Sequence, residues 1–328
     1  MGDSETRTGN QRLSVQALEA WENLGFGMFI HFGLSTFVSQ ELPSGQDPST
    51  TYAPDRLDVD QWIQVARDTG MRYAVLTSKH VSGHCLWQSS LTDYHVGTSG
   101  NTTDVVEQFV EACRRHGLMP GFYYCSWDNH HRFGSRTWSD LLPGEPATRQ
   151  FTTRRYEDFQ WGQLEELLTR YGPIGEVWID IPMALSRDYR NRLYAHLASM
   201  QPDAVIVMNN GIGDGSPETQ SVYAWPTDVV TIERYLPDSR RGHAKWRQVE
   251  GAEYYLPGEV CDPVGHEWFY VEGDTPRSDA ELLGMYLTTR GRGANLLLDV
   301  GPDTHGLLPE KTVAALERLR KGIDRAGG

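Results

Sequence analysis

A chain of 328 residues with 39% hydrophobic residues, 10 Trp and 15 Tyr contains enough apolar material for a large core, which excludes a disordered protein. Its net charge of −14 argues against nucleic acid and anionic membranes as partners, because both would be repelled. Residues 1–16 contain no apolar signal-peptide core, and no segment approaches the ~18 apolar residues of a membrane span, so we expect a cytoplasmic protein.

Eight apolar runs predict buried strands, since continuous Val, Ile, Leu and aromatic residues are typical of strands covered on both faces. In chain order they are 27–30, 73–76, 121–124, 176–179, 205–208, 229–232, a weaker run at 268–270, and 294–298. Helical patterns separate most of these runs, at 59–68, 103–116, 154–171, 188–199, 278–289 and 309–321. Asp104 and Gly117 are typical start and stop signals for the second of these helices. Pro, Gly and Ser mark long loops at 39–52, 133–149 and 211–226.

Alternating strands and helices favour a parallel sheet covered by helices, and eight such units close into a (β/α)8-like TIM barrel. We therefore predict one α/β barrel domain over residues 1–328. A doubly wound open sheet is the alternative. The chain has neither GxGxxG after an early strand nor GxxxxGK[ST], so the nucleotide-binding forms of that fold lose their main support.

In such a barrel the reactive side chains lie at the C-terminal ends of the strands. Six predicted strands end in polar residues, which are His31, Lys79-His80, Tyr124, Asp180, Asn209-Asn210 and Glu233. Asp180 ends an apolar run, where an unpaired carboxylate is costly unless the site uses it. Glu233 repeats this pattern, although an ion pair with Arg234 would also explain it. Two carboxylates facing one pocket are the minimum equipment for cleaving a glycoside.

Other constellations point less clearly to chemistry. His80 and His84 are four residues apart and His130 precedes His131, but both pairs fall in loop-like sequence rather than on a metal-binding helix. The chain lacks GxSxG and CxxC, and we expect buried free thiols at Cys85, Cys113, Cys125 and Cys261. We therefore predict no metal site.

Five ordered motifs resemble those of the retaining α-L-fucosidases, glycoside hydrolase family 29. They are FGMFIHFG at 26–33 (family FGxFIHWG), YAVLTSKH at 73–80 (YxVLTxKHHDGF), GFYY with Trp127 at 121–127 (GFYYSxW), YGPIGEVWID at 171–180 (YGPIDxxWxD) and ANLLLDVGP at 294–302 (GNLLLNVGP). The likeness covers nearly the whole chain. It implies a barrel enzyme without cofactor that releases L-fucose from fucosylated oligosaccharides or glycoconjugates, with retention of configuration.

The resemblance also implies roles for particular residues. Asp180 matches the nucleophile that ends the WxD strand. Residues expected to hold the sugar are His31, Glu41, His80, Tyr124 and Trp178. The segment 231–235 resembles the TxE segment that carries the acid/base in some members, which favours Glu233, with Glu259 and Glu272 as alternatives.

Two departures from the family pattern bear on specificity. Val81 and Ser82 replace a His and an Asp of the second motif, so one sugar contact is missing or is supplied elsewhere. Many members carry a C-terminal β-sandwich, whereas this chain ends after its last predicted barrel helix, so we expect an open pocket or one completed by another subunit of a homo-oligomer. The alternatives are a related glycosidase acting on a galactose-like sugar and a carbohydrate-binding pseudoenzyme.

Overall fold

The computed structural model describes residues 7–135, 152–216, 221, 223–238 and 242–327. Its α-helices are α1 (Val15–Glu22), α2 (Leu34–Val38), α3 (Val59–Thr69), α4 (Val105–His116), α5 (Arg154–Arg170), α6 (Arg187–Met200), α7 (Asp279–Gly291) and α8 (Glu310–Arg325). Its strands are β1 (Phe26–Ile30), β2 (Tyr73–Lys79), β3 (Met119–Cys125), β4 (Glu176–Asp180), β5 (Val205–Met208), β6 (Val230–Glu233), β7 (Trp246–Val249), β8 (Ala252–Tyr255), β9 (Gly258–Pro263) and β10 (Ala294–Val300). Of the predicted loops, 133–149 lies outside the described residues from 136 onward, and 211–226 does so at 217–220 and 222.

Eight of these strands form one parallel sheet in the spatial order β5-β4-β3-β2-β1-β10-β9-β6. A parallel bridge between Val207 and Val229 joins the two edge strands, so the sheet closes. Apolar residues on the outer face of the sheet pack with those of α3 to α8 in one large core. The predicted (β/α)8-like barrel is therefore confirmed, and the doubly wound open sheet is excluded.

All six predicted helices and seven of the eight predicted strands are present, with ends within four residues of those expected. In α4 the side chain of Asp104 accepts a hydrogen bond from the Glu107 amide, and Gly117 ends the helix at a φ of 74°. These two local signals act as predicted, because an aspartate satisfies a free helix amide and glycine adopts left-handed backbone without strain.

The seventh barrel strand is β9, so the strand predicted at 268–270 is wrong. Glu259, Cys261 and Asp262 interrupt the apolar character of β9, which hid it from a search for apolar runs. Trp268 and Phe269 are buried in a loop, where their rings lie 5.1 and 5.2 Å from the ring of His31. A small antiparallel hairpin, β7 and β8, lies between β6 and β9 in the chain.

Side chains alternate between the inside and the outside of the barrel along each strand. In β4, Trp178 packs in the interior cluster, while Val177 and Ile179 belong to the outer core under the helices. Asp180 therefore shares the inward face with Trp178. The four cysteines are buried and free, as predicted.

Side chains complete the contact between β5 and β6, where the backbone ladder is short. The amide of Ile206 donates to Asp228 Oδ2 at 2.9 Å, and the amide of Met208 donates to Thr227 Oγ1 at 3.0 Å. Just beyond the end of β5, the Asn210 amide donates to Thr231 Oγ1 at 2.9 Å. These bonds fix the end of β5 and thereby place Asn209 at the mouth of the barrel.

None of the helices in the described part of the chain combines the length and hydropathy that a bilayer-crossing segment needs.

Candidate active site

A pocket opens at the C-terminal ends of the barrel strands. Aromatic rings and titratable groups line it, namely Phe29, His31, Glu41, His80, Tyr123, Trp178, Asp180, Asn209, Glu233, Cys261 and Trp268. The pocket therefore lies at the end of the barrel where enzymes of this fold have their active sites.

Asp180 and Glu233 lie side by side in this pocket, joined by one amide group. The Nδ2 of Asn209 donates to Asp180 Oδ1 at 2.8 Å and to Glu233 Oε2 at 2.8 Å. These two oxygens can therefore be no farther apart than twice 2.8 Å, about 5.6 Å. Carboxyl groups of retaining glycosidases are about 5–5.5 Å apart, whereas those of inverting enzymes are about 6.5–9.5 Å apart.

The environment of Glu233 keeps a substantial fraction of its carboxyl group protonated near neutral pH. Burial and the neighbouring charge of Asp180 raise the pKa of Glu233 to about 7, while the hydrogen bond from Asn209 opposes this shift. A carboxylic acid beside an ionised carboxylate is the arrangement that separates a proton donor from a nucleophile in glycoside cleavage.

Three donors hold the carboxylate of Asp180. Besides Asn209, the hydroxyl of Tyr123 donates to Oδ2 at 2.6 Å and the amide of Ile181 donates to Oδ1 at 2.8 Å. Burial and the charge of Asp180 raise the pKa of Tyr123 well above its usual value, so its hydroxyl remains a donor. The orientation of the Asp180 carboxylate is thus fixed from two strands and its own backbone.

Each of the two carboxylates is followed by a residue with left-handed backbone. Ile181 has a φ of 48° and Arg234 a φ of 62°. This conformation is costly for residues with a Cβ, and most of all for a β-branched one, so it persists where surrounding structure enforces it. Here it ends β4 and β6 abruptly, with Asp180 and Glu233 at the edge of the pocket.

Four of the predicted sugar-holding residues do line the pocket: His31, Glu41, His80 and Trp178. Nδ1 of His31 donates to Asp299 Oδ1 at 2.6 Å, which leaves Nε2 for a ligand. Burial and the charges of His31 and Lys79 hold the pKa of His80 well below its usual value, so this ring is neutral. The Trp178 ring stacks on Tyr123 with centroids 5.4 Å apart and forms part of the pocket wall.

The structure contradicts the placement of Tyr124 in the sugar site. Tyr124 belongs to the outer core, and its hydroxyl donates to Gln163 of α5 at 2.8 Å. Its neighbour Tyr123 faces the pocket instead. Sequence alone could not choose between the two because adjacent tyrosines supply one ring to each face of a strand.

The two alternative acids lie away from the pocket lining. Glu259 is fully buried inside the barrel, where Tyr73 and Trp178 donate to its carboxyl oxygens at 2.7 and 3.2 Å. Glu272 is exposed in the loop after β9. Neither shares a hydrogen-bond partner with Asp180, unlike Glu233.

Of the histidine pairs singled out in the sequence, only His80 lines the pocket, and the other three histidines have packing roles. His84 hydrogen-bonds through Nε2 to Ser99 at 2.9 Å, and His130 stacks on Tyr94 with ring centroids 3.8 Å apart. His131 Nδ1 lies 3.1 Å from Asp128, which also accepts from buried Lys79 at 2.6 Å. Within the described ranges, no group of three His, Cys, Asp or Glu side chains suits a metal ion.

A sequence profile described as alpha-L-fucosidase matches residues 44–327, which is most of the chain. The chain belongs to the alpha-L-fucosidase family. Alpha-L-fucosidase 1 of Arabidopsis thaliana is 29% identical over 318 residues, covering 93% of this chain and 59% of that protein. The chain therefore spans less than two thirds of the length of this relative.

Solved structures of the family share the fold. Alpha-L-fucosidase isoenzyme 1 of Paenibacillus thiaminolyticus superposes with a TM-score of 0.77 at 27% identity, covering 95% of this chain and 76% of that one. Alpha-L-fucosidase AlfC of Lactobacillus casei has a TM-score of 0.74 at 21% identity, covering 95% of this chain and 99% of that one. The second similarity concerns the fold alone.

Two functional features escaped the sequence-based site prediction. Neither Asn209, a polar strand end, nor Asp299, within the motif at 294–302, is among the predicted site residues, although both bond directly to pocket residues. The signal available in the sequence for Asn209 is its side-chain amide at the end of the strand that neighbours the strand of Asp180. The altered positions Val81 and Ser82 of the family motif are buried and do not line the pocket.

Proposed function

We propose that this chain is a retaining α-L-fucosidase that releases L-fucose from fucosylated oligosaccharides or glycoconjugates, with residues 1–328 acting as one catalytic domain. The observation that carries the proposal is the pair of Asp180 and Glu233 carboxyl groups bonded to the same nitrogen of Asn209. Membership of the family supports the choice of sugar.

In the first step Asp180 attacks the anomeric carbon, and the bond from this carbon to the leaving oxygen breaks. Glu233 gives its proton to that oxygen, which its raised pKa equips it to do near neutral pH. The carboxylate of Asp180 becomes an ester of the sugar, and Glu233 is left ionised.

In the second step water attacks the same carbon from the side that the leaving group vacated. Glu233 takes a proton from this water, and the ester bond to Asp180 breaks. Two inversions give net retention. His31, His80 and Glu41 are the polar groups that orient the sugar hydroxyls, while Trp178 and Phe29 pack on apolar faces of the ring.

The test measures hydrolysis of p-nitrophenyl α-L-fucoside and follows the anomer first released by NMR. We expect α-L-fucose as the first product and no comparable release of p-nitrophenol from a p-nitrophenyl galactoside. Initial release of the β anomer would contradict retention, preference for the galactoside would contradict the choice of sugar, and binding of fucose without turnover would indicate a pseudoenzyme.

The two carboxylates are tested with variants. Asp180→Asn should lose at least about 1000-fold in kcat while folding normally, because an amide forms no glycosyl ester.

Glu233→Ala should slow hydrolysis of disaccharides far more than hydrolysis of p-nitrophenyl fucoside, and azide should restore its turnover by replacing the activated water. Glu272→Ala is the matched surface control. Azide rescue of Glu259→Ala or Glu41→Ala, but not of Glu233→Ala, would show that Glu233 is not the acid/base.

A further inference from the structure

Exposed apolar side chains concentrate around the two acids at the pocket mouth. Six large hydrophobic side chains are exposed in the described part of the chain: Leu42, Leu91, Ile212, Tyr235, Leu236 and Leu287. Leu91 and Leu287 lie elsewhere, against α5 and on α7. Of the other four, Ile212, Tyr235 and Leu236 belong to two segments next to Glu233, and Leu42 follows Glu41. Both acids line the pocket. Such clustering of exposed apolar groups marks a binding surface.

The backbone fixes the position of three of these side chains relative to Glu233. Ile212, 72% exposed, is bridged to Glu233, and the adjacent amide of Gly213 donates to the carbonyl of Glu233 at 3.1 Å. Tyr235 and Leu236 follow the left-handed turn at Arg234, directly after Glu233. The backbone therefore places these exposed residues next to Glu233 on two separate segments.

Leu42, which is exposed, directly follows Glu41, and Glu41 lines the pocket. Burial raises the pKa of Glu41, and the charges of His31 and Arg234 oppose that shift. The guanidinium of Arg234 in turn lies 4.6 Å from the ring of Trp268, a residue of the pocket wall. Arg234, which directly precedes Tyr235, therefore acts electrostatically on the acid that precedes Leu42.

We propose that Leu42, Ile212, Tyr235 and Leu236 form a rim surface that binds the sugar to which fucose is attached, through the apolar C–H face of that sugar. The inference rests on the proposed function. An acid that protonates the leaving oxygen must touch it, so the leaving sugar lies beside Glu233, where Ile212 and Tyr235 are exposed. Pyranose rings present an apolar face that packs on aromatic and aliphatic side chains.

The test compares substrates that share fucose but differ in the leaving group. For each variant we take the ratio of kcat/KM for an α-L-fucosyl-galactose disaccharide to kcat/KM for α-L-fucosyl fluoride, which has no second sugar. In Tyr235→Ser and Ile212→Ser this ratio should fall by at least about 5-fold, the loss expected from removing one packed side chain. Leu287→Ser and Leu91→Ser, at exposed positions away from the pocket mouth, should leave the ratio at the wild-type value.

Each result has one reading. An unchanged ratio in Tyr235→Ser and Ile212→Ser, while the wild-type protein hydrolyses the fluoride, overturns the rim surface and leaves the proposed function standing. A fall seen with p-nitrophenyl fucoside but not with the disaccharide assigns the surface to aryl groups and also overturns the proposal. Absence of fluoride hydrolysis by the wild-type protein removes the proposed function and this inference with it.

Discussion

Asp299 holds the His31 ring in the pocket through a buried pair. Its Oδ1 lies 2.6 Å from Nδ1 of His31, and its Oδ2 has no hydrogen-bond partner among the residues described. Burial raises the pKa of Asp299 to about 6, against the effect of His31. The family motif that this segment resembles has Asn at this position. The present chain therefore places a negative charge behind a histidine that we propose to bind the sugar.

Asp299→Asn tests whether this charge strengthens binding of the sugar. An amide oxygen accepts the same hydrogen bond without charge, and the loss of charge assistance should weaken binding by about 1 kcal/mol. We expect KM for the fucoside to rise about 5-fold above pH 6, where the wild-type carboxyl is ionised, and the difference to shrink towards pH 5. Asp55→Asn, which alters an exposed pair with His305 of the same 2.6 Å length, is the control. Equal KM values at every pH would refute the role of the charge.

The contact between β5 and β6 is the element on which the position of Asn209 depends. Thr227 accepts from the Met208 amide at 3.0 Å and donates to the backbone at Ile206 or Val229. Asp228 pairs with Arg12 at 2.6 Å, so the N-terminal segment also braces this contact. A barrel with a short backbone ladder between two strands relies on such side chains, because buried amides without partners are costly.

Thr227→Val should weaken this junction without changing the size of the side chain. The buried Met208 amide would lose its partner, which should lower the free energy of unfolding by about 1–3 kcal/mol, as measured by urea denaturation. Because Asn209 follows Met208, activity should also fall. Thr169→Val, at an exposed helix position, should change stability by less than about 0.5 kcal/mol. Comparable effects of the two substitutions would mean that the junction does not depend on Thr227.

Glu176 and Glu259 lie together in the interior of the barrel and affect the whole molecule. Both are completely buried, and their donors are Trp21 for Glu176 and Tyr73 and Trp178 for Glu259. Burial raises the pKa of both carboxyl groups, and that of Glu259 rises to about 7. The charge of Glu259 raises the pKa of Glu176 further. The pair therefore retains a proton at pH values where an unfolded glutamate, with a pKa of about 4.3, has lost it.

Stability should consequently decrease as the pH rises. Because the folded pKa is raised, the protonated pair stabilises the protein fully below pH ~4, and this stabilisation is lost as the pH rises through about 7. We expect the free energy of unfolding to fall by about 2 kcal/mol between pH 6 and 8.5, and Glu259→Gln to reduce this fall. Glu317→Gln, at an exposed position of α8, is the control. The same pH dependence in wild type and Glu259→Gln would exclude the pair as its cause.

The sequence by itself determined the barrel and the position of Asp180. Apolar runs alternating with helical patterns are local properties of the chain, and an acid at the end of such a run lies at the C-terminal end of a parallel strand. The same local rule found Glu233, and the ordered motifs identified the family. Helix ends such as Asp104 and Gly117 followed from capping chemistry within a few residues.

Only the tertiary structure decided which side chains share the pocket. The choice between Tyr123 and Tyr124 depends on the face that each presents after β3 pairs with β2 and β4. Strand β9 was hidden because its inward residue Glu259 is polar, and this residue is stabilised there by partners from distant parts of the chain, such as Tyr73. Asn209 joins Asp180 to Glu233 across three strands. Such contacts depend on strand register and barrel closure, which bring together residues that are far apart in the sequence.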